Sequence, residues 1–320
     1  MTNEKAKGNF VNRAKGTVYS LVALFLVLFF GLGLSEETSE YVTEGMRLAV
    51  ECVIPSSFTF MIISDLYLFI GRPENLGLIK VTFGSLLGIP SSCISAFICG
   101  NLGGFPIGAK MISDIYSLGG VSKDDAERLI PLCNNPSCAF VVGGVGLGIY
   151  RDLRVGFLLL VSLWISTALC GIITRRNANK FEFTEYKNRQ NYNFVSSVKS
   201  AGLSCVSLIS FITVFSVIGG IIKKRVKFAP ISYLISSFLE VTNAVKGFSS
   251  IYPISPLLAL SLSAFSLGFG GISVAMQSSI FTSGCGIGMR KYYLIKLLEG
   301  VLCSAVFSIL YLIIKRTVRL

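Results

Sequence analysis

The chain has 320 residues, of which 52% are apolar and 14% are charged, and its net charge is +12. An average soluble domain carries about a quarter charged residues, so this composition argues against a water-soluble fold. The Lys and Arg residues form short clusters between apolar blocks, where membrane-orientation signals belong, so we expect no nucleic-acid partner.

Histidine and cysteine, which often serve in catalytic and metal sites, provide few candidates for such a site in this chain. It contains no histidine, and its nine cysteines include no CxxC pair. Zinc sites and general acid–base catalysis therefore have few candidate residues. We expect a membrane protein that is not an enzyme, with no catalytic residue, no metal site and no cofactor, whose cysteines act as small buried hydrophobes.

The first apolar block spans residues 17–34. Lysines and an arginine precede it and several glutamates follow it. This charge asymmetry predicts an uncleaved membrane helix with a cytoplasmic N-terminus, followed by an acidic loop to about residue 40. A second crossing is predicted over residues 45–70, which place the carboxylate of Asp65 at membrane depth.

Three later blocks, residues 129–150, 155–174 and 200–222, have the length and charge-free composition of ordinary membrane-spanning helices. Two others, residues 81–109 and 247–289, also lack charged residues but are too long for one crossing, and Gly, Pro and Ser interrupt them. Lipid cannot satisfy freed backbone groups, so such breaks persist only inside protein or beside a wet cavity. Both blocks are predicted to be re-entrant hairpins or broken helices.

The two interrupted blocks resemble each other. Residues 95–110 align with residues 263–277 through one gap, which pairs the adjacent glycines 103–104 with the adjacent glycines 270–271. Either the two halves arose by duplication, or Gly/Ser-rich membrane sequence matches itself by chance. Duplicated halves with interrupted apolar segments in matching places are typical of secondary transporters, whose solute site lies near the bilayer midplane.

The predicted organisation is an N-terminal membrane helix with its acidic loop (1–40), a first repeat (41–176), a basic cytoplasmic connector (177–197) and a second repeat (198–320). Each half then has an odd number of crossings, which predicts that the second repeat is inverted in the membrane relative to the first. This arrangement places the basic residues at 223–227 outside, which the positive-inside rule disfavours.

Polar or small residues within these blocks are the candidate solute contacts. Lys110 either contacts an anion or pairs with Asp114, four positions later. The two glycine pairs either expose backbone N–H groups to a solute at a helix start or permit close helix packing. Glu240 is a carboxylate that could couple a solute to H⁺, whereas Glu299 is expected to pair with Lys296.

Asn134, Asn135 and Ser137 either cap the helix that follows them or turn toward the solute. The full set of predicted contacts consists of Gly103, Gly104, Lys110, Asn134, Asn135, Ser137, Glu240, Asn243, Gly270, Gly271, Ser273 and Gln277.

Four motifs carry a family resemblance: Gly103-Gly-Phe-Pro-Ile-Gly-Ala-Lys110, Asn134-Asn-Pro-Ser137, Leu239-Glu-Val-Thr-Asn243 and Gly268-Phe-Gly-Gly-Ile-Ser-Val274. Over residues 40–315 the chain resembles the sporulation integral membrane protein YlbJ family, whose nucleoside-recognition Gate domains relate it to concentrative nucleoside transporters. The resemblance implies an all-α membrane protein of two Gate-type repeats that moves dipicolinate across a forespore membrane of a spore-forming bacterium.

The expected partners are therefore the lipid bilayer, a small organic anion and a possible coupling ion, H⁺ or Na⁺. A nucleoside-type solute transporter and a non-transporting sporulation scaffold are the alternatives.

Overall fold

The structure is a computed structural model, and it describes residues 35–55, short stretches between 58 and 66, residue 84, and residues 86–175, 194–226 and 229–318. The predicted membrane helix at 17–34, Asp65 and most of the basic connector lie outside the described residues.

The described residues form helices joined by short loops, with no β-strand among them. Four helical stretches in this part of the chain are long and apolar enough to cross a membrane: Leu153–Ile173, Phe194–Arg225, Pro256–Ser283 and Arg290–Thr317. Large apolar side chains such as Ile309 and Ile313 are more than half exposed, as lipid-facing residues are. The prediction of an all-α integral membrane protein is confirmed.

Among its described residues, the first half has five α-helices of ten residues or more and one π-helical segment of eleven residues. They are α1 (Ser35–Leu48), which continues as a π-helical turn, α2 (Ile94–Gly103), α3 (Ile107–Ser117), α4 (Lys123–Leu132), the π-helical segment Ala139–Ile149, and α5 (Leu153–Ile173). Gly100 of α2 lies against Gly108 of α3, so these two helices fold back on each other as a hairpin.

In the part of the second half that the structure describes, there are six helices. They are α6 (Phe194–Arg225), α7 (Ala229–Leu239), α8 (Val241–Ser249), α9 (Pro256–Phe269), α10 (Gly271–Ser283) and α11 (Arg290–Val318). Tyr233 of α7 packs on Gly247 and Phe248 of α8, which makes α7 and α8 a second hairpin. The pieces α9 and α10 make few contacts with each other and do not fold back.

Among the described residues, each half has a first helix (α1 or α6), a hairpin, an interrupted helix and a single helix, in that order. Helices α1 and α6 pack antiparallel, because Tyr41 lies against Gly220 while Gly45 lies against Thr213.

The element order changes which breaks correspond. It matches the α2–α3 tip at Gly104 with the α7–α8 tip at Glu240, and the break at 133–137 with the break at Gly270. The sequence alignment pairs Gly103 and Gly104 with Gly270 and Gly271 instead, which joins a hairpin tip to a helix break, so the duplication of the two halves stays a prediction. Both kinds of break need tight backbone turns, so glycine occurs at each for its own reason.

Two predicted boundaries are wrong. The block 129–150 is not one helix, because α4 ends at Leu132 and Pro136 lies in the unwound stretch that follows. Proline lacks the N–H that a helix interior requires. Residues 35–40, predicted as an acidic loop, instead begin α1, whose N-terminal dipole favours glutamates in its first turn.

Close packing in the interior relies on small residues. A Cβ on either Gly100 or Gly108 would lie within 2 Å of the carbonyl oxygen of Cys133, so hairpin α2–α3 contacts the end of α4 through its backbone. The described cysteines are all free and buried or half-buried, as predicted.

The fold predicts the positions of two loops relative to the membrane. Helix α6 is continuous for 32 residues, about 48 Å at 1.5 Å per residue, so it separates the connector from Lys223, Lys224 and Arg225 by more than a bilayer core. Single cysteines at positions 187 and 225 should react with a membrane-impermeant maleimide from opposite sides. The unaltered chain, labelled in parallel, gives the background, and reaction of both positions from one side would contradict this crossing.

Candidate functional site

The two hairpin tips, the first helix break and helix α10 meet around one small cavity between the halves of the chain. The α2–α3 tip contributes residues 103–105, the first break contributes Pro136 and Ser137, the α7–α8 tip contributes residues 240–242, and α10 contributes Val274 and Gln277. We call this space the central cavity. Its volume is about 40 Å³, which is enough for ordered water and too small for an organic solute without local widening.

Each hairpin tip packs on the helix break of its own half through glycine. Gly104 has φ +92°, and a Cβ there would lie 2.7 Å from the backbone nitrogen of Ser137. Gly271 has φ +86°, and a Cβ there would lie 2.9 Å from the carbonyl oxygen of Leu239. Gly104 and Gly271 are therefore close-packed, since no larger residue fits either position. Gly103 and Gly104 also line the central cavity, so contact of their backbone with a solute stays a prediction.

Glu240 is the charged residue at the α7–α8 tip. Its side chain is 6% exposed, and its two carboxylate oxygens accept hydrogen bonds from the backbone N–H groups of Thr242 at 3.0 Å and Asn243 at 2.7 Å. The carboxylate therefore caps α8 and lies at the positive end of its dipole. Asn243 takes part through its backbone, and its side chain does not line the central cavity.

Gln277 supplies an unused hydrogen-bond acceptor. Its Nε2 donates to Ser273 Oγ at 3.2 Å, whereas its Oε1 is buried and has no partner among the described residues. Because Gln277 lines the central cavity and buried polar atoms are normally hydrogen-bonded, a bound molecule that donates a hydrogen bond would satisfy this oxygen. Ser273 lies one helical turn away and is fully buried behind it.

Other predicted contacts lie apart from the central cavity. The ammonium of Lys110 is 3.1 Å from Asp114 Oδ2, and the buried lysine does not line the cavity. This is the ion pair that the spacing allowed as the alternative to an anion contact.

The polar residues of the first break divide into two groups. Ser137 lines the cavity, and its Oγ accepts a hydrogen bond from the backbone N–H of Phe140 at 3.1 Å, so it caps the following segment as predicted. Asn134 and Asn135 are fully buried behind the cavity and bond to other helices instead of capping. Gly270 begins α10 in a left-handed conformation beside the cavity wall.

The charge of the lining is its most informative property. Glu240 is the only charged residue among the described residues that line the central cavity, and no Lys or Arg accompanies it. A negative site of low dielectric favours neutral or cationic groups that donate hydrogen bonds and disfavours anions.

A wider space adjoins the central cavity on the side of the α7–α8 hairpin. This vestibule has a volume of about 480 Å³ and shares Leu48, Phe140 and Thr242 with the central cavity. Its other lining residues include four charged side chains that sequence reasoning missed: Glu44, Arg47, Glu51 and Lys246. No sequence signal singles out Leu48 or Phe140, because both are apolar residues in apolar stretches.

The comparisons with known proteins give one distant relative. The chain is 23% identical over 336 aligned positions, covering 91% of this chain and 82% of the other, to the Sporulation integral membrane protein YlbJ of Bacillus subtilis (strain 168). No family model matches the chain, and no solved structure matches it. The relation supports a YlbJ-like integral membrane protein, which agrees with the resemblance found in the sequence motifs.

Proposed function

We propose that this protein is a permease for a small solute, which binds in the central cavity after entering through the vestibule. The observation that supports the proposal is the meeting of two hairpin tips, the first helix break and α10 at one cavity that contains the buried polar groups of Glu240 and Gln277. Interrupted helices at membrane depth persist where their freed backbone groups line a cavity, and transporter sites are built at such breaks. The matching element order supports the further proposal that the halves are inverted repeats.

The solute class follows from the lining. Glu240 and the free Oε1 of Gln277 are hydrogen-bond acceptors, and the described lining offers no basic side chain to balance an anion. The cavity therefore fits a neutral solute with several N–H or O–H donors, which is the nucleoside-type alternative. The vestibule has the volume of ordinary small-molecule sites, so movement of Phe140 and Leu48 would join the two spaces and give such a solute room.

Dipicolinate is the second candidate. It is the solute that the sequence resemblance favours, and the N-terminal ends of α3 and α10 begin beside the cavity, where helix dipoles attract carboxylates. A dianion at this place must overcome the charge of Glu240, which makes it the weaker fit to the geometry.

Uptake by proteoliposomes tests the proposal. Labelled nucleosides and labelled dipicolinate are supplied separately, and one of them should accumulate with saturable kinetics. Replacing Gln277 by methionine keeps the side-chain length but removes the amide acceptor, and loss of one hydrogen bond of about 1.4 kcal/mol should reduce uptake roughly tenfold. Ser283→Ala, at the exposed end of the same helix, is the matched control and should leave uptake unchanged. A flat time course with both solutes would favour the non-transporting scaffold.

A further inference from the structure

A buried ion pair lies at the first helix break, away from the solute contacts. The ammonium of Lys296 lies 2.9 Å from Glu299 Oε2 and 2.7 Å from Asn135 Oδ1. Thr167 Oγ1 lies 2.6 Å from the other carboxylate oxygen of Glu299, and the amide nitrogen of Asn135 donates to Thr167 and to Asn101. We call these five residues the Lys296 cluster.

The Lys296 cluster is isolated from solvent. The side chains of Lys296 and Glu299 are 1% and 0% exposed. Moving two charges out of water is costly, and a hydrophobic pair of similar volume is often at least as stable. Charged residues inside a membrane protein are accordingly rare and call for a role other than stability.

The position of the cluster indicates that role. Lys296 and Glu299 belong to α11, Thr167 to α5, Asn101 to α2, and Asn135 to the unwound stretch 133–137. The ammonium therefore bridges α11 to the side chain of Asn135, at the place where the helix is interrupted. The adjacent residues Pro136 and Ser137 line the central cavity, so the bridge fixes one wall of that cavity.

The ammonium is held by two oxygens, one from a carboxylate and one from an amide. Carboxylate and amide oxygens are the usual ligands of hard cations, and the Asn135 oxygen faces the ammonium because its amide nitrogen is held by Thr167 and Asn101. We propose that the Lys296 ammonium is a built-in cation, which holds the 133–137 break against α11 in the place that a bound sodium ion would otherwise fill.

Two consequences follow for the protein. The unaltered chain needs no dissolved monovalent cation to order this break. Removal of the ammonium leaves an oxygen-lined site with one uncompensated negative charge, which sodium can occupy. The inference depends only on the geometry of the break and does not require the proposed transport function.

The test is the melting temperature of the detergent-purified full chain in sodium chloride and in choline chloride, whose cation is too large for the site. The unaltered chain should melt at the same temperature in both salts. Lys296→Met keeps most of the aliphatic volume but leaves Glu299 unpaired, so in choline it should melt roughly 5 to 10 °C lower. Sodium should restore at least half of that loss, with a saturable dependence on its concentration.

Two variants control for other causes. The double variant Lys296→Met/Glu299→Gln removes both charges, so its melting should not depend on sodium. Lys246→Met removes an exposed lysine that is 3.7 Å from Glu44, and it should melt like the unaltered chain in both salts.

Several results would overturn the built-in cation. They are a sodium-specific rise in the melting temperature of the unaltered chain, a Lys296→Met chain that sodium does not restore, and an equal sodium response in the double variant. A Lys296→Met chain that cannot be purified even in sodium, while the double variant can, would also overturn it, because sodium then fails to occupy the site. If uptake is absent but the melting pattern holds, only the proposed permease function fails.

Discussion

Replacement of Gly104 by alanine is expected to separate the α2–α3 tip from the first helix break and to abolish uptake. The residue has φ +92° and ψ 172°, a conformation that is essentially restricted to glycine and costs an L-residue about 1 to 3 kcal/mol, and its Cβ would lie 2.7 Å from the Ser137 nitrogen. Relief of that clash needs backbone movement, which adds about 1 to 3 kcal/mol. The free energy of unfolding should therefore fall by about 2 to 6 kcal/mol in total, measured by thermal or denaturant unfolding in detergent.

Gly119→Ala separates the two causes of this loss. Gly119 has a similar φ of +78°, but nothing lies within 4 Å of a Cβ placed there. The free energy of unfolding of Gly119→Ala should fall only by the backbone cost of a positive φ, about 1 to 2 kcal/mol, and this variant should retain uptake. If Gly104→Ala and Gly119→Ala lose equal stability, the tip does not pack on the break as the structure has it.

Glu240→Gln is expected to have the largest effect on solute selection. A hydrogen bond to a charged group contributes about 1.5 to 3 kcal/mol, so loss of the charge should reduce uptake of a neutral hydrogen-bond donor at least tenfold. One of the two backbone N–H groups capped by Glu240 also loses its carboxylate acceptor, which should lower stability by about 1 kcal/mol. Uptake rates and melting temperatures of the same preparation separate the two effects.

The same substitution distinguishes the two solute classes. If the natural solute is a dianion such as dipicolinate, Glu240→Gln removes a like charge from the cavity and should raise the apparent affinity. Glu44→Gln, which removes an exposed carboxylate at the vestibule, is the matched control. Unchanged uptake of both solutes in Glu240→Gln would show that the central cavity is not the binding site.

Local sequence features predict parts of the candidate site well. The spacing of Lys296 and Glu299 on one helix predicts their ion pair, and the pair is present. Ser137 is predicted as a helix cap, and it accepts a backbone hydrogen bond. These contacts join residues three positions apart, so helix geometry by itself brings them together.

The sequence does not predict which distant elements contact each other. From the sequence, Lys110 could pair with an anion or with Asp114. Only the packing of α3 shows that Lys110 pairs with Asp114 and does not line the cavity. The vestibule depends on α1, the π-helical segment and α8 lying side by side, although their residues are about a hundred positions apart or more. No periodicity in one helix contains that information.

The sequence by itself determined that this is a helical membrane protein with interrupted helices. Long charge-free runs can be stable only in lipid, and Gly and Pro within them can be tolerated only at protected breaks. The tertiary structure decided which breaks are hairpins, and that the cavity is lined by Glu240 and not by Lys110. Whether a helix folds back after a glycine depends on the surfaces that its two pieces find to pack against, and those surfaces belong to other parts of the chain.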